Sequence, residues 1–166
     1  MEQQSLSAVE RVKSGLVKGR EALELLASTD RYVFHGSPVL VESLEPHQAR
    51  AGDLETGRNL PDRDPAVFAT DSPDIAIFVA FTSNYRTKFF LAGEEPDFRV
   101  WPDLIANTND SEVAYVYVLN KESFRQEYER EFVSDGAATP VCVVEVRKQD
   151  LPGGIRALPE LGELQN

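Results

Sequence analysis

The amino-acid sequence predicts an α+β domain built on antiparallel strands. Three observations carry this. Short apolar or alternating runs outnumber helical ones, with strands expected at residues 32–37, 66–69, 86–91, 113–119, 131–134 and 141–146. The longest helical pattern, residues 5–28, stands apart at the amino terminus. A single further helix interrupts the strands, so the regular alternation of βαβ units is missing. At 166 residues the chain suits one domain with one sizeable core.

Each element has its own justification. Leu6, Val9, Val12, Leu16 and Val17 recur at helical spacing, and Ala22, Leu23, Leu25 and Leu26 resume it. Ser5 or Ser7 offers a cap, while Gly15 and Gly19 weaken the middle. Two short helices or one imperfect helix are expected, packed on the outside of the main body. Ser28-Thr29-Asp30 ends this pattern before the first strand. Residues 38–65 are punctuated by Pro38, Pro46, Gly52, Gly57, Pro61 and Pro65, and 52–65 reads as a long exposed loop. His47 is expected to be exposed. After the 66–69 strand, Asp71 or Ser72 caps a helix with Pro73 in its first turn. Residues 75–81 are apolar all round, which predicts a buried helix. Residues 94–109 read as polar and irregular, anchored by Trp101. Tyr115 and Tyr117 alternate with Val116 and Val118 in the next strand. Asp150-Leu151-Pro152-Gly153-Gly154 closes the last one. The chain thus divides into an N-terminal helical extension (1–30), a main domain (31–150) and a C-terminal tail (151–166).

Composition narrows the function classes. The net charge of −11 repels phosphate backbones and anionic membranes, which argues against nonspecific nucleic-acid binding. Arg11, Lys13, Lys18 and Arg20 cluster near the start and read as a solvated helix face. The lone cysteine, Cys142, lies in an apolar run and reads as a buried, inert thiol; no Cys/His spacing suggests zinc or another metal site. The start lacks the basic residues and apolar run of a secretory signal, and no segment is apolar enough to span a bilayer. A cytoplasmic protein without membrane contact is expected.

The most informative stretch is Tyr32-Val33-Phe34-His35-Gly36-Ser37. An apolar strand ends abruptly in an imidazole, a glycine and a hydroxyl, and strand ends are where polar groups converge on ligands. Gly36 permits close approach to the backbone, and His35 and Ser37 can both donate and accept hydrogen bonds. About thirty residues later, 66–71 repeats the pattern of a short strand ending in polar groups, followed by an apolar helix bearing Phe78.

In this order, with Glu131-Phe132-Val133-Ser134 leading to the 141–146 strand, the chain resembles the ADP-ribosyltransferase superfamily. The likeness is to its His-Tyr-Glu branch of poly(ADP-ribose) polymerases and diphtheria-type toxins, and covers residues 31–147. The resemblance implies a split β-sandwich of two antiparallel sheets with flanking helices. It implies NAD as co-substrate, no metal, and transfer of ADP-ribose to a protein or nucleic-acid acceptor. His35 matches the histidine that binds the adenosine ribose, Gly36 the glycine whose backbone holds the nicotinamide amide, and Ser37 the hydroxyl that contacts ribose. Phe68 falls at the triad tyrosine, so the stacking surface survives without a phenolic hydroxyl. Phe78 falls near a second stacking aromatic, and Glu131 at the catalytic glutamate. The small hydroxyl residue that helps bind the amide has no counterpart, since Ile75 or Ala76 stands there. Glu129-Arg130-Glu131 is similar to the Glu-x-Glu of the arginine-modifying branch, which would make Glu129 an acceptor-binding residue. Glu122 and Glu127 lie in the same stretch, so an acidic run also produces this pattern.

The chemistry is coherent with the likeness. Cleaving the nicotinamide–ribose bond builds positive charge on the sugar, and a carboxylate such as Glu131 stabilises it. Two alternatives stand beside transfer. The same pocket can serve a module that binds NAD or ADP-ribose without transfer, or one that hydrolyses NAD. An NAD-dependent RNA 2′-phosphotransferase uses a similar scaffold but needs clustered cations. By analogy, the small size suits an effector or the toxin of a toxin–antitoxin pair. The amino-terminal helix would then cover the pocket, meet an antitoxin or other partner, or complete the core.

Overall fold

The stretch from Ser7 to Gly19 already shows how glycine shapes this chain. In the computed structural model, helix α1 (Ala8–Lys13) is capped by Ser7, whose side chain accepts from the Glu10 amide while Glu10 reaches back to the Ser7 amide. Gly15 then takes a φ of 79°, and α2 (Gly19–Ala27) starts afresh, so the pattern resolves into two short helices. The structure describes residues 6–46, 50–52, 59–61, 65–82, 88–92, 95–100 and 112–157. His47 and Trp101 lie outside them.

The strands follow in chain order as β1 (Tyr32–Ser37), β2 (Arg50–Gly52), β3 (Asn59–Pro61) and β4 (Val67–Ala69), then helix α3 (Pro73–Thr82). After it come β5 (Lys88–Ala92), β6 (Glu95–Val100), β7 (Val113–Asn120), β8 (Arg125–Tyr128), β9 (Glu131–Ser134), β10 (Cys142–Arg147) and β11 (Arg156–Ala157). The architecture is mixed α+β. One antiparallel sheet has the order β1-β7-β10 and a second the order β4-β9-β8. β5 and β6 form an antiparallel pair that β11 extends in parallel, and β2 pairs with β3.

The β1-β7-β10 sheet is buried on both faces. On one face Phe34, Val116, Val118, Val144 and Val146 pack with Ala22, Leu23 and Leu26 of α2 and Ala76, Ile77 and Ala80 of α3. On the other, Val33, Tyr117 and Leu119 meet Val67, Ala69 and Phe132 of the second sheet. The strict alternation of β7 distributes its side chains between these two cores.

Several expectations are corrected. α2 is not an outer appendage, because Ala22, Leu23 and Leu26 are all 0% exposed within the main core. Asp150 approaches the start of α2, its carboxylate 3.4 Å from the Arg20 amide. The Arg20 guanidinium in turn donates to the Asp150 carbonyl and pairs with Asp74 of α3. The supposedly irregular segment begins with strand β6, where Pro96, Phe98 and Val100 alternate with Glu95, Asp97 and Arg99, and Phe98 is buried. The segment read as a loop contributes β3, and the tail contributes β11. β8 carries only exposed side chains, so no apolar period announces it; its backbone ladder to β9 forms it.

Leu26→Ala is expected to cost about 2–5 kcal/mol of stability, read from the urea midpoint. A loss below about 0.5 kcal/mol, the range of surface substitutions, would contradict core burial of α2.

Candidate functional site

The site begins where two sheets touch. The Phe34 amide donates to the Thr70 carbonyl at 2.7 Å, and the Thr70 amide donates to the Phe34 carbonyl at 2.9 Å. Phe34 therefore turns its backbone groups away from β7. Its β7 partner Val118 agrees, accepting from the Val141 amide at 2.7 Å on the far side. Backbone direction alternates along a strand, so Gly36 also presents its N–H and C=O to the edge away from β7.

An antiparallel ladder continued from Phe34–Thr70 would place Phe68 opposite Gly36. In place of a further described bridge, a side chain makes the connection: His35 Nδ1 lies 2.6 Å from the Phe68 carbonyl oxygen. A carbonyl only accepts, so Nδ1 carries the hydrogen, and in a neutral ring Nε2 would be an acceptor. Beside this link lies a cleft of about 480 Å³, with Gly36, Ser37, Phe68, Thr70, Ala76 and Val79 among its walls. That volume is in the range of small-molecule sites, about 300–1,000 Å³.

Helix α3 forms one wall. Ser72 caps it, its Oγ accepting from the Ile75 amide at 3.3 Å, and the Thr70 Oγ1 accepts from the Ser72 amide at 3.1 Å. The helix lies directly on β1. A Cβ on Gly36 would stand 2.1 Å from the Ala76 carbonyl oxygen and 2.6 Å from the Ala80 nitrogen. Glycine is thus demanded by helix–strand packing as well as by the exposed backbone edge. Ser37 Oγ accepts from the Val39 amide at 3.2 Å, and its own hydrogen can still donate.

The structure gathers His35, Gly36, Ser37 and Phe68 around this cleft. It places Phe78 elsewhere: fully buried, its ring 4.7 Å from that of Phe98 between centroids. Helical rotation turns Ile75, Ala76 and Val79 to the cleft and Phe78 toward β6, so Phe68 and Phe78 do not sandwich a common space. Glu131 opens β9 and is half-buried, outside the cleft lining. The Ala69–Phe132 pair sets it beside Thr70 when the register is continued by one step, on the same sheet face as that residue. Glu129 is exposed in the turn between β8 and β9. The next residue, Arg130, has φ 60° and its guanidinium lies 3.5 Å from Asp71 Oδ1, which ties the turn to the start of α3.

Val79 is a cleft residue that the sequence did not single out, while Ala76, read only as standing where a small hydroxyl residue is expected, and Thr70, read only as part of a polar strand end, both line the cleft. The helical spacing of 76 and 79 was readable, but not the rotation of the helix about its axis. Among the described residues no three His, Cys, Asp or Glu side chains group to hold a metal ion, and no helix is long and apolar enough to cross a membrane. Partial burial pushes the Cys142 thiol up, with Lys13 opposing, which lowers its thiolate fraction at neutral pH. No family model, curated protein or solved structure matches the chain.

Gly36→Ala is expected to lower stability by at least about 1–3 kcal/mol, because the obstructing atoms are backbone. A melting temperature equal to that of the wild type would contradict this packing. Cys142 should react with iodoacetamide more slowly than a free thiol at pH 7, and equal rates would contradict its partial burial.

Proposed function

We propose that this protein is an NAD-dependent mono-ADP-ribosyltransferase. The supporting observation is the convergence of the Gly36 backbone edge and the His35 ring on one cleft whose opposite wall bears Phe68. A carboxamide carries one acceptor and one donor group, the complement of a strand-edge N–H and C=O. In this reading Gly36 holds the nicotinamide amide and Phe68 supplies a flat apolar face. His35 Nε2 accepts from an adenosine ribose hydroxyl, and Ser37 donates to ribose.

The reaction breaks the bond between the ribose C1′ and the nicotinamide nitrogen. Nicotinamide leaves with the electron pair, which neutralises its ring. Positive charge builds on the sugar, and the Glu131 carboxylate beside Thr70 is assigned to stabilise it. A nucleophile of a protein or nucleic-acid acceptor then bonds to C1′ and loses its proton. Glu129, at the turn, is the candidate acceptor-binding residue. A cytoplasmic effector or toxin role belongs to this reading by analogy of fold alone. With α2 in the core, the surface assigned to an antitoxin or other partner is around α1, where Leu6 and Leu16 are exposed.

A second reading is binding or hydrolysis of NAD without transfer, and two placements favour binding alone: Glu131 outside the lining and Phe78 away from it. The phosphotransferase alternative draws no support, as the described lining contains no lysine or arginine.

The test is incubation with NAD and lysate, following nicotinamide by chromatography and acceptor mass by mass spectrometry. Wild type should release nicotinamide and add ADP-ribose, and Glu131→Gln should cut release by about 10²–10³-fold. His35→Ala should weaken NAD binding. Equal mass shifts from wild type and Glu131→Gln would sink the assignment. Ligand-induced thermal stabilisation without product, or nicotinamide release without an acceptor mass shift, would establish the second reading instead.

A further inference from the structure

One side chain outside the proposed chemistry touches both the His35 ring and the loop that rims the cleft. Tyr117 lies opposite His35 in the β1–β7 register and is 0% exposed. Its ring meets the imidazole edge-on, with centroids 6.2 Å apart and planes at 61°. Its hydroxyl leaves the core and is fully used: Oη donates to the Val39 carbonyl at 2.7 Å and accepts from the Val41 amide at 2.6 Å.

These two bonds bend residues 39–41 back over the end of the sheet. Among the described residues its other anchors are one bond at Val39 and, three residues beyond Val41, the paired backbone of Leu44 and Ala138. The Val39 amide is held by Ser37, while the side chains of Val39, Leu40 and Val41 are 56%, 63% and 41% exposed. Apolar side chains so exposed do not fold a loop onto a protein by burial. Yet Pro38 and Val39 form part of the cleft wall. Pro38 is half-buried, and the position of the residues after it depends on hydrogen bonds, of which the Tyr117 hydroxyl supplies two.

We propose that Tyr117 is a positioning residue: its hydroxyl sets the 38–41 rim against the cleft, and its ring holds His35 at the angle that reaches Phe68. This role rests on the NAD reading of the site. It does not touch the reacting atoms, so it acts on binding more than on turnover.

Two variants test it from opposite ends. Tyr117→Phe removes the hydroxyl and keeps the ring, and Val41→Pro removes the amide donor and keeps the tyrosine. Val39 and Val41 face water, which takes over their backbone bonds, so both variants should remain folded, as thermal melting will show. In Tyr117→Phe the Val41 amide should exchange hydrogen at least about tenfold faster than in wild type. The KM for NAD in nicotinamide release should rise about tenfold in each variant, with kcat within about twofold. The double variant should be no worse than Tyr117→Phe alone, since that variant already removes the bond that Val41→Pro removes. Unchanged exchange at Val41, faster exchange with an unchanged KM, or a fall in kcat alone would each overturn the role. Fully additive effects would do the same. A wild-type protein that neither binds NAD nor releases nicotinamide overturns the functional reading itself, a result distinguishable from these.

Discussion

Two backbone hydrogen bonds between Phe34 and Thr70 join the sheets that frame the cleft. The bridge sets the spacing of Gly36 and Phe68 together with the His35 link. Had the ladder run on, Phe68 would occupy the Gly36 edge and leave no opening. The strands meet for one residue pair, and the next connection passes through an imidazole. Backbone polar groups require partners when removed from water. The Phe68 carbonyl finds His35, and the Gly36 N–H and C=O face a cleft where water or a ligand can meet them.

The rest of the molecule holds that junction still. α3 presses backbone against backbone on Gly36, a contact that tolerates no added methyl group. α2 packs over the same sheet face, and Arg20 links Asp74 at the start of α3 to Asp150 beyond β10. Arg130 draws the β8–β9 turn to Asp71, which follows Thr70 in sequence. The cleft is therefore built on rigid elements on the sheet and helix sides, as a preorganised site requires. Its rim at residues 38–41 is of a different kind, with exposed side chains held by hydroxyls from Ser37 and Tyr117.

Much of this was legible in the amino-acid order. The alternation in 113–119 marks a strand buried on both faces, and Ser72-Pro73 marks a helix start. His35-Gly36-Ser37 ends a strand at the cleft, as its abrupt change from apolar to polar suggests. What stayed hidden has physical reasons. Phe78 reads as a stacking aromatic by order, but rotation of α3 sends it to Phe98. β8 has no apolar face to betray it. Residues 19–27 look like an amphipathic outer helix, and only the sheet beneath reveals them as core. The roles of Gly36 in packing and of Tyr117 at the rim need partners 40 and 78 residues away in sequence, which no local pattern encodes.

The central claim is that the space between Gly36 and Phe68 receives the nicotinamide end of NAD. Amide chemical-shift mapping during titration with NAD, and separately with nicotinamide, tests this most directly. The account predicts saturable shifts concentrated at residues 34–39, 68–70 and 75–79, with nicotinamide reproducing those nearest Gly36. Shifts confined to the opposite end of the sheet, around residues 30–32 and 120–126, or none at millimolar ligand, would contradict it.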